Sequence, residues 1–379
     1  MTARRTYIDY NASAPLRPEA RVAVIAAMEL VGNPSSVHAE GRKVRAAIEA
    51  ARLNVADLVG ASVADVVFTS GASEANASVI AGGWDAIYLS ALEHDSVWMS
   101  ARRCGARLIE VPVTPNGRFD VAAFTALIEQ ANPRAGEVGK VLVCVQLANN
   151  ETGVIQPVAE VAVLARARGW RVHSDAVQAP GRMALDCAAL GVDYLTLSAH
   201  KLGGPKGVGA LVCVDGAPLP VLIAGGGQER GRRAGTENVA AIAGFGAAAR
   251  LALMDVVAVD AVRDLRDRLE QTLRTNATDV VIIGANEPRL PNTCCVALEG
   301  LSAETAVIRM DLAGVAISAG AACSSGKVAQ SAALLAMGLP AGLARSAIRI
   351  SFGHESTMAD VDAFVAAWTI LTARHQCAA

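Results

Sequence analysis

The chain is predicted to be α/β, with a mainly parallel seven-stranded sheet flanked by helices and a smaller α+β unit beside it. Three observations predict this. Between about residues 60 and 215, short β-branched runs alternate with longer Ala-rich segments of helical period. The strand-like runs are almost wholly apolar, as expected of a sheet covered on both faces. A length of 379 residues with 53% apolar content is enough to bury two sizeable cores.

Strands are expected at 66–69, 86–90, 107–111, 141–147, 171–174, 194–198 and 209–214, with helices filling most of the intervals. After Thr236 a long Ala-rich helical stretch runs to about Thr275, followed by short strands and helices to the end. The boundary is placed within that stretch, giving a larger unit of 15–255 and a smaller one of 1–14 with 256–379. The Ala/Ser/Gly-rich segment at about 318–333 packs little and is expected to move.

Charge excludes one class of function. The 34 Lys plus Arg nearly cancel 36 Asp plus Glu, and only 14 residues are aromatic, so neither a phosphate backbone nor stacked bases are natural partners. The longest uninterrupted apolar runs, 239–249 and 141–148, fall short of a membrane span. The first residues, MTARRTYIDYNASAPL, carry charge without an apolar h-region, and a cytoplasmic location is expected. The eight cysteines are scattered without C-x-x-C pairs, against a disulfide framework or a structural zinc site. Cys144 and Cys213 sit in strand-like runs as small hydrophobes.

Ligands of open parallel sheets bind beyond the carboxyl ends of the strands, and polar residues collect there. Ser70, Gly71 and Ser73 follow the first strand at a helix start, a place suited to phosphate. Glu93-His94, Asn149-Asn150-Glu151, His173-Ser174-Asp175 and Ser198-Ala199-His200-Lys201 follow four others. A phosphate cradle, a buried acid, histidines and a lysine at one crevice suit pyridoxal phosphate, whose aldehyde needs an amine and whose ring nitrogen needs a partner. The chain has five lysines, and Lys201, directly after its strand, is preferred over Lys206, which lies in a turn between Pro205 and Gly207. Asp175 would pair with the ring nitrogen and His94 would stack on the ring.

The motifs carrying these residues are YIDYNASAPL, GNPSSVHAEGR, FTSGASEAN, NNETGVIQP, HSDAVQ, SAHKLGGPKG, GGGQERGRRAGTEN and SAGAACSSGK. In this order the sequence resembles the cysteine desulfurases, pyridoxal phosphate enzymes of the class V aminotransferase group and fold type I, over nearly its whole length. The resemblance implies Lys201 as the Schiff-base lysine, Asp175 as the ring-nitrogen partner and His94 as the stacking residue. It places Ala72, Ser73, Ser198 and His200 around the cofactor, with the last three on its phosphate, and Asn150 and Gln178 on its phenolic oxygen. Thr236 would reach the phosphate of a partner subunit, which implies a homodimer. Arg349 and Asn33 would hold the carboxylate of L-cysteine, and Cys323 would take its sulfur as a persulfide. The subgroup with a long cysteine-bearing loop commonly feeds iron–sulfur scaffold proteins or other acceptors.

Some positions depart from the pattern: Ser174 for a usual Val, Ser13 for Thr, His354 for Arg, and no histidine in 331–338. The rival readings are a selenocysteine lyase or aminotransferase of the same fold, and a non-catalytic sulfur-transfer scaffold. The intact Lys201, Asp175, His94 and Cys323 argue against the scaffold. The run from Gly320 to Lys327 has the wrong glycine spacing for an ATP loop, and Val328 replaces the required Ser or Thr.

Overall fold

A computed structural model describes residues 5–130, 139–276, 279–320 and 330–378. Its strands are β1 (Thr6–Tyr7), β2 (Val66–Thr69), β3 (Ala86–Ser90), β4 (Arg107–Val111), β5 (Val141–Cys144), β6 (Arg171–Asp175), β7 (Tyr194–Ser198), β8 (Gly209–Cys213), β9 (Val280–Ile283), β10 (Thr293–Leu298), β11 (Val315–Ala316), β12 (Ser318–Ala319) and β13 (Ala347–Ser351). The seven expected strands are β2 to β8, forming one sheet in the order β2-β8-β7-β6-β5-β3-β4. Only β8 runs against its neighbours, so the sheet is mainly parallel, as anticipated. The expected strand at 141–147 is shorter than read, because after Cys144 the chain turns into the site.

The strand order creates the crevice. From β3 the chain moves outward to β4, whereas from β5 it moves the other way to β6. The crossovers diverge between β3 and β5, leaving open space beyond their carboxyl ends. Helices cover the sheet, and two of them, Ala39–Leu58 and Val239–Asp255, meet at Gly246. A Cβ there would fall 2.4 Å from Ala51 Cα, so glycine is what permits their approach.

The helical run from Val239 is long and apolar enough to cross a membrane by length and composition, although Arg250 and Asp255 interrupt it. Its Ile242, Phe245 and Ala249 are instead buried in the core that includes Val143, Val172 and Leu197 of the large sheet. Burying one such large apolar side chain contributes about 1.5–3 kcal/mol, enough to favour packing of this face.

A second sheet, β12-β13-β10-β9, is antiparallel, and β1 pairs with β11 beside it. Along β13, Ile348 and Ile350 enter a core shared with Ile8, Leu269 and Phe364. Strand alternation therefore turns Arg349 to the opposite face, toward the cleft. The segment at about 318–333, expected to pack little, is buried at its described ends: Ser318–Ala319 forms β12, and Ser331 and Ala333 are buried at the start of a helix spanning Ala332–Ala336. Cys323 and the other residues of 321–329 lie outside the described residues.

Candidate active site

The carboxyl ends of β2, β3, β5, β6 and β7 open on one cleft of about 570 Å³. Ala72 and Ser73 line it at the start of helix Ala72–Ile80. No side chain caps this helix end, so its first N–H groups and its dipole are available to an anion. Gly209 of β8 packs beneath: a Cβ there would lie 2.8 Å from the Gly71 backbone. Ser198, His200 and Lys201 come from the end of β7 and the short 3-10 turn Ala199–Lys201. Lys206 also lines the cleft, although its side chain is largely exposed.

Asp175, 8% exposed, is held by its neighbours: Oδ2 accepts from Asn76 Nδ2 at 2.9 Å, and Oδ1 accepts from the Val177 N–H at 3.0 Å. Asn76 also donates to Ser96 Oγ at 2.9 Å, and Ser96 lies 2.9 Å from His94 Nδ1. The His94 ring caps helix Asp95–Ala101 by accepting the Ser96 N–H at Nδ1. The neutral ring therefore carries its proton on Nε2. A continuous set of hydrogen bonds thus orients both the acid and the imidazole expected on the cofactor ring. Asn76 and Ser96 were not singled out from sequence, although Asn76 sits within FTSGASEAN.

Burial, with Lys201 and Lys206 nearby, lowers the His200 pKa to about 4, and burial lowers that of His173 to about 4. Both rings are neutral near pH 7. His173 lies outside the cleft lining and contacts Thr196 Oγ1 at 3.0 Å. Glu93 is also internal, accepting the Gln146 N–H, and burial followed by the charge of Asp175 raises its pKa to about 8.

The facing wall is built by long-range bonds. Lys201 Nζ donates to the Asn11 carbonyl at 2.6 Å, and Gln178 Nε2 donates to the same oxygen at 3.2 Å. Asn11 is tied to Thr293 Oγ1 at 2.9 Å and to Ser351 Oγ, which accepts its N–H at 2.9 Å. Arg349, 1% exposed, donates to the Asn150 carbonyl at 3.0 Å and to Asp9 Oδ1 at 2.8 Å, while its Nε has no partner among the described residues. Asn150 is presented by a turn in which Asn149 Oδ1 accepts the N–H groups of Glu151 and Thr152 at 3.0 and 2.9 Å.

Two expected residues are not brought into this cleft. Asn33 is exposed and closes a local turn, its Oδ1 accepting the Ser35 N–H at 2.8 Å. Thr236 is exposed on a segment anchored by buried Arg52–Glu229 and by Arg233–Glu74, the latter reaching the cleft helix. Arg52 engages both Glu229 oxygens, at 2.6 and 2.9 Å.

The donor set fits pyridoxal phosphate: an uncapped helix start, a lysine amine, an oriented carboxylate and an imidazole meet in one cleft. Comparison with known proteins agrees. The family model for aminotransferase class-V matches residues 6–364. A cysteine desulfurase of Cereibacter sphaeroides is 42% identical over 94% of this chain and 93% of its own. An IscS-like cysteine desulfurase of Mycobacterium tuberculosis is 36% identical over 94% of this chain and 93% of its own. The solved NifS-like protein of Rickettsia africae superimposes with a TM-score of 0.89 at 33% identity, covering 97% of this chain and 99% of that one. By sequence and by architecture, the chain belongs to the class-V aminotransferases and, within them, to the pyridoxal phosphate-dependent cysteine desulfurases.

Proposed function

We propose that this chain converts L-cysteine to L-alanine, leaves the sulfur as a persulfide on Cys323, and donates it to an iron–sulfur scaffold or another acceptor. The observation that carries this reading is the meeting of Lys201, Asp175, His94 and Arg349 in one cleft. A solved structure of SspA in complex with cysteine, 28% identical with a TM-score of 0.76, covers 92% of this chain and 98% of its own, and supports the choice of substrate.

Bound pyridoxal phosphate supplies an aldehyde for amines and a sink for electrons released at the substrate Cα. The helix start at Ala72 and Ser73, with Ser198 and His200, would hold its phosphate. Asp175 would hold a proton on the ring nitrogen, and Asn150 and Gln178 would contact the phenolic oxygen. His94 would stack on the ring. Arg349, whose planar fork suits a carboxylate, would bind that of L-cysteine. Lys201 Nζ would move the proton at the substrate Cα.

The Cys323 thiolate attacks the substrate sulfur. A sulfur–sulfur bond forms, the carbon–sulfur bond breaks, and its electron pair stays with the carbon skeleton, which takes a proton to become alanine. In sum, L-cysteine and an enzyme thiol give L-alanine and an enzyme persulfide, with no external oxidant.

The exposure of Thr236 supports a homodimer in which it reaches the other subunit's cleft. One core around the large sheet and another around β10 and β13 support a large unit of 15–255 and a small unit of 1–14 with 256–379, with Leu92 packed among Cys295 and Leu334 where the two meet. A cytoplasmic site of action accords with reduced thiols. The test is to supply L-cysteine with a thiol reductant and measure alanine and sulfide together. Equal amounts support the proposal; pyruvate and ammonia in place of alanine overturn it.

A further inference from the structure

Glu151 is a buried acid beside the cleft that none of the roles above uses. Its position between two parts of the small sheet region is specific. Glu151 Oε2 accepts from Ser331 Oγ at 2.6 Å, and Ser331 Oγ in turn accepts the Leu334 N–H at 3.0 Å, capping helix Ala332–Ala336. The same oxygen lies 3.3 Å from where a Cβ on Gly320 would stand, and Gly320 is pinned to the Ala347 carbonyl at 2.8 Å. One carboxylate oxygen therefore holds Ser331, just past 321–329, and faces the open side of Gly320, just before it. On its other side, Glu151 follows Asn150, whose carbonyl takes Arg349, and its backbone N–H is held by Asn149.

The electrostatics agree with this geometry. Burial pushes the Glu151 carboxyl up to about 7, opposed first by the Ser331 hydrogen bond and then by the charge of Arg349. An acid kept in such a site at the expense of its hydration is retained for what it contacts, since an apolar residue would pack there at less cost.

We infer that Glu151 is a positioning residue for sulfur transfer: its carboxylate holds Ser331, on the carboxyl-terminal side of the cysteine-bearing segment, against the wall that carries Asn150 and Arg349, and so sets the rate at which Cys323 takes the substrate sulfur. This rests on the proposed desulfurase reading. It differs from a general structural role in predicting that substrate binding and sulfur transfer separate.

The experiment is single turnover by the holoenzyme with L-cysteine in the absence of reductant. Substrate affinity is read from the visible absorption change of the cofactor, and sulfur transfer from the mass of the Cys323 peptide. Glu151→Met removes the acceptor at similar volume, Ser331→Ala removes the donor, and Glu151→Gln retains an acceptor oxygen. Glu151→Met and Ser331→Ala are each expected to slow sulfur transfer about 10-fold with substrate affinity within about 2-fold, their combination being no slower than either alone. Glu151→Gln is expected to recover most of the rate.

Unchanged transfer in both single variants, or parallel loss of affinity and transfer, overturns the inference. If Glu151→Met does not fold, Ser331→Ala tests the same bond from its other end. A wild-type enzyme that places no sulfur on Cys323 overturns the desulfurase reading itself and this inference with it, a failure distinguishable from the variants' results.

Discussion

The two walls of the cleft are built in different ways. The wall from the large sheet places Ser73, His94, Asp175, Ser198 and Lys201 at or just beyond the ends of four strands, β2, β3, β6 and β7. The facing wall depends on bonds between residues far apart in the chain: Arg349 to Asp9 and Asn150, and Asn11 to Thr293 and Ser351. The first wall bears the lysine, the acid, the imidazole and the phosphate cradle for the cofactor, and the second bears the guanidinium for the substrate carboxylate beside Asn150 and Gln178. Cofactor and substrate contacts should therefore be separable by substitution.

Lys201→Ala should have the largest effect, since one amine serves both the cofactor aldehyde and the substrate proton. A fall in turnover of about 10²–10⁴-fold is expected, with loss of the native cofactor absorption, measured by alanine release and visible spectroscopy. Arg349→Ala should lower kcat/KM for L-cysteine by roughly 10²-fold and leave the cofactor spectrum intact, because it removes one charged partner from the other wall. Cofactor loss in that variant would break the division of labour.

Asn76→Ala should act in the opposite sense. Asp175 loses one of its two described anchors, and cofactor affinity should fall about 10-fold with little change in the KM for L-cysteine, as read by equilibrium dialysis of the cofactor and initial rates.

The smallest effect concerns stability. The Glu93 pKa is raised from 4.5 to about 8, so the native state binds more protons than the unfolded chain between those values. Its stabilising contribution is present below pH 4.5 and lost as the pH rises through 8. His173 and His200, lowered from 6.5 to about 4, act oppositely, and their contribution is complete above pH 6.5. Between pH 6.5 and 8, Glu93→Gln should flatten the decline of Tm and raise Tm by a few degrees at the upper end.

The same contrast explains what was legible in the sequence. Apolar runs bounded by helical segments locate β2, β3, β4 and β7 to the residue, and the strand-end rule locates Asp175 and Lys201, because both are local signals. The apolar run 141–147 is longer than β5 because Val145 and Leu147 remain buried after the ladder stops at Cys144, so burial continues where pairing does not. Asp9 and Asn11 are not singled out by the sequence, and Glu151, named at a polar strand end, receives no role from it, since their meaning lies in partners more than 130 positions away. Arg349 was reached through family resemblance, and the geometry adds the reason it faces the cleft: Ile348 and Ile350 take the opposite, core side of β13.

The most direct test follows the sulfur atom. Holoenzyme given one equivalent of L-cysteine without reductant should yield alanine together with an equal amount of protein bearing one added sulfur atom on Cys323, both absent in Lys201→Ala. Alanine formed with no sulfur on Cys323, or undiminished turnover in Lys201→Ala, would contradict the account.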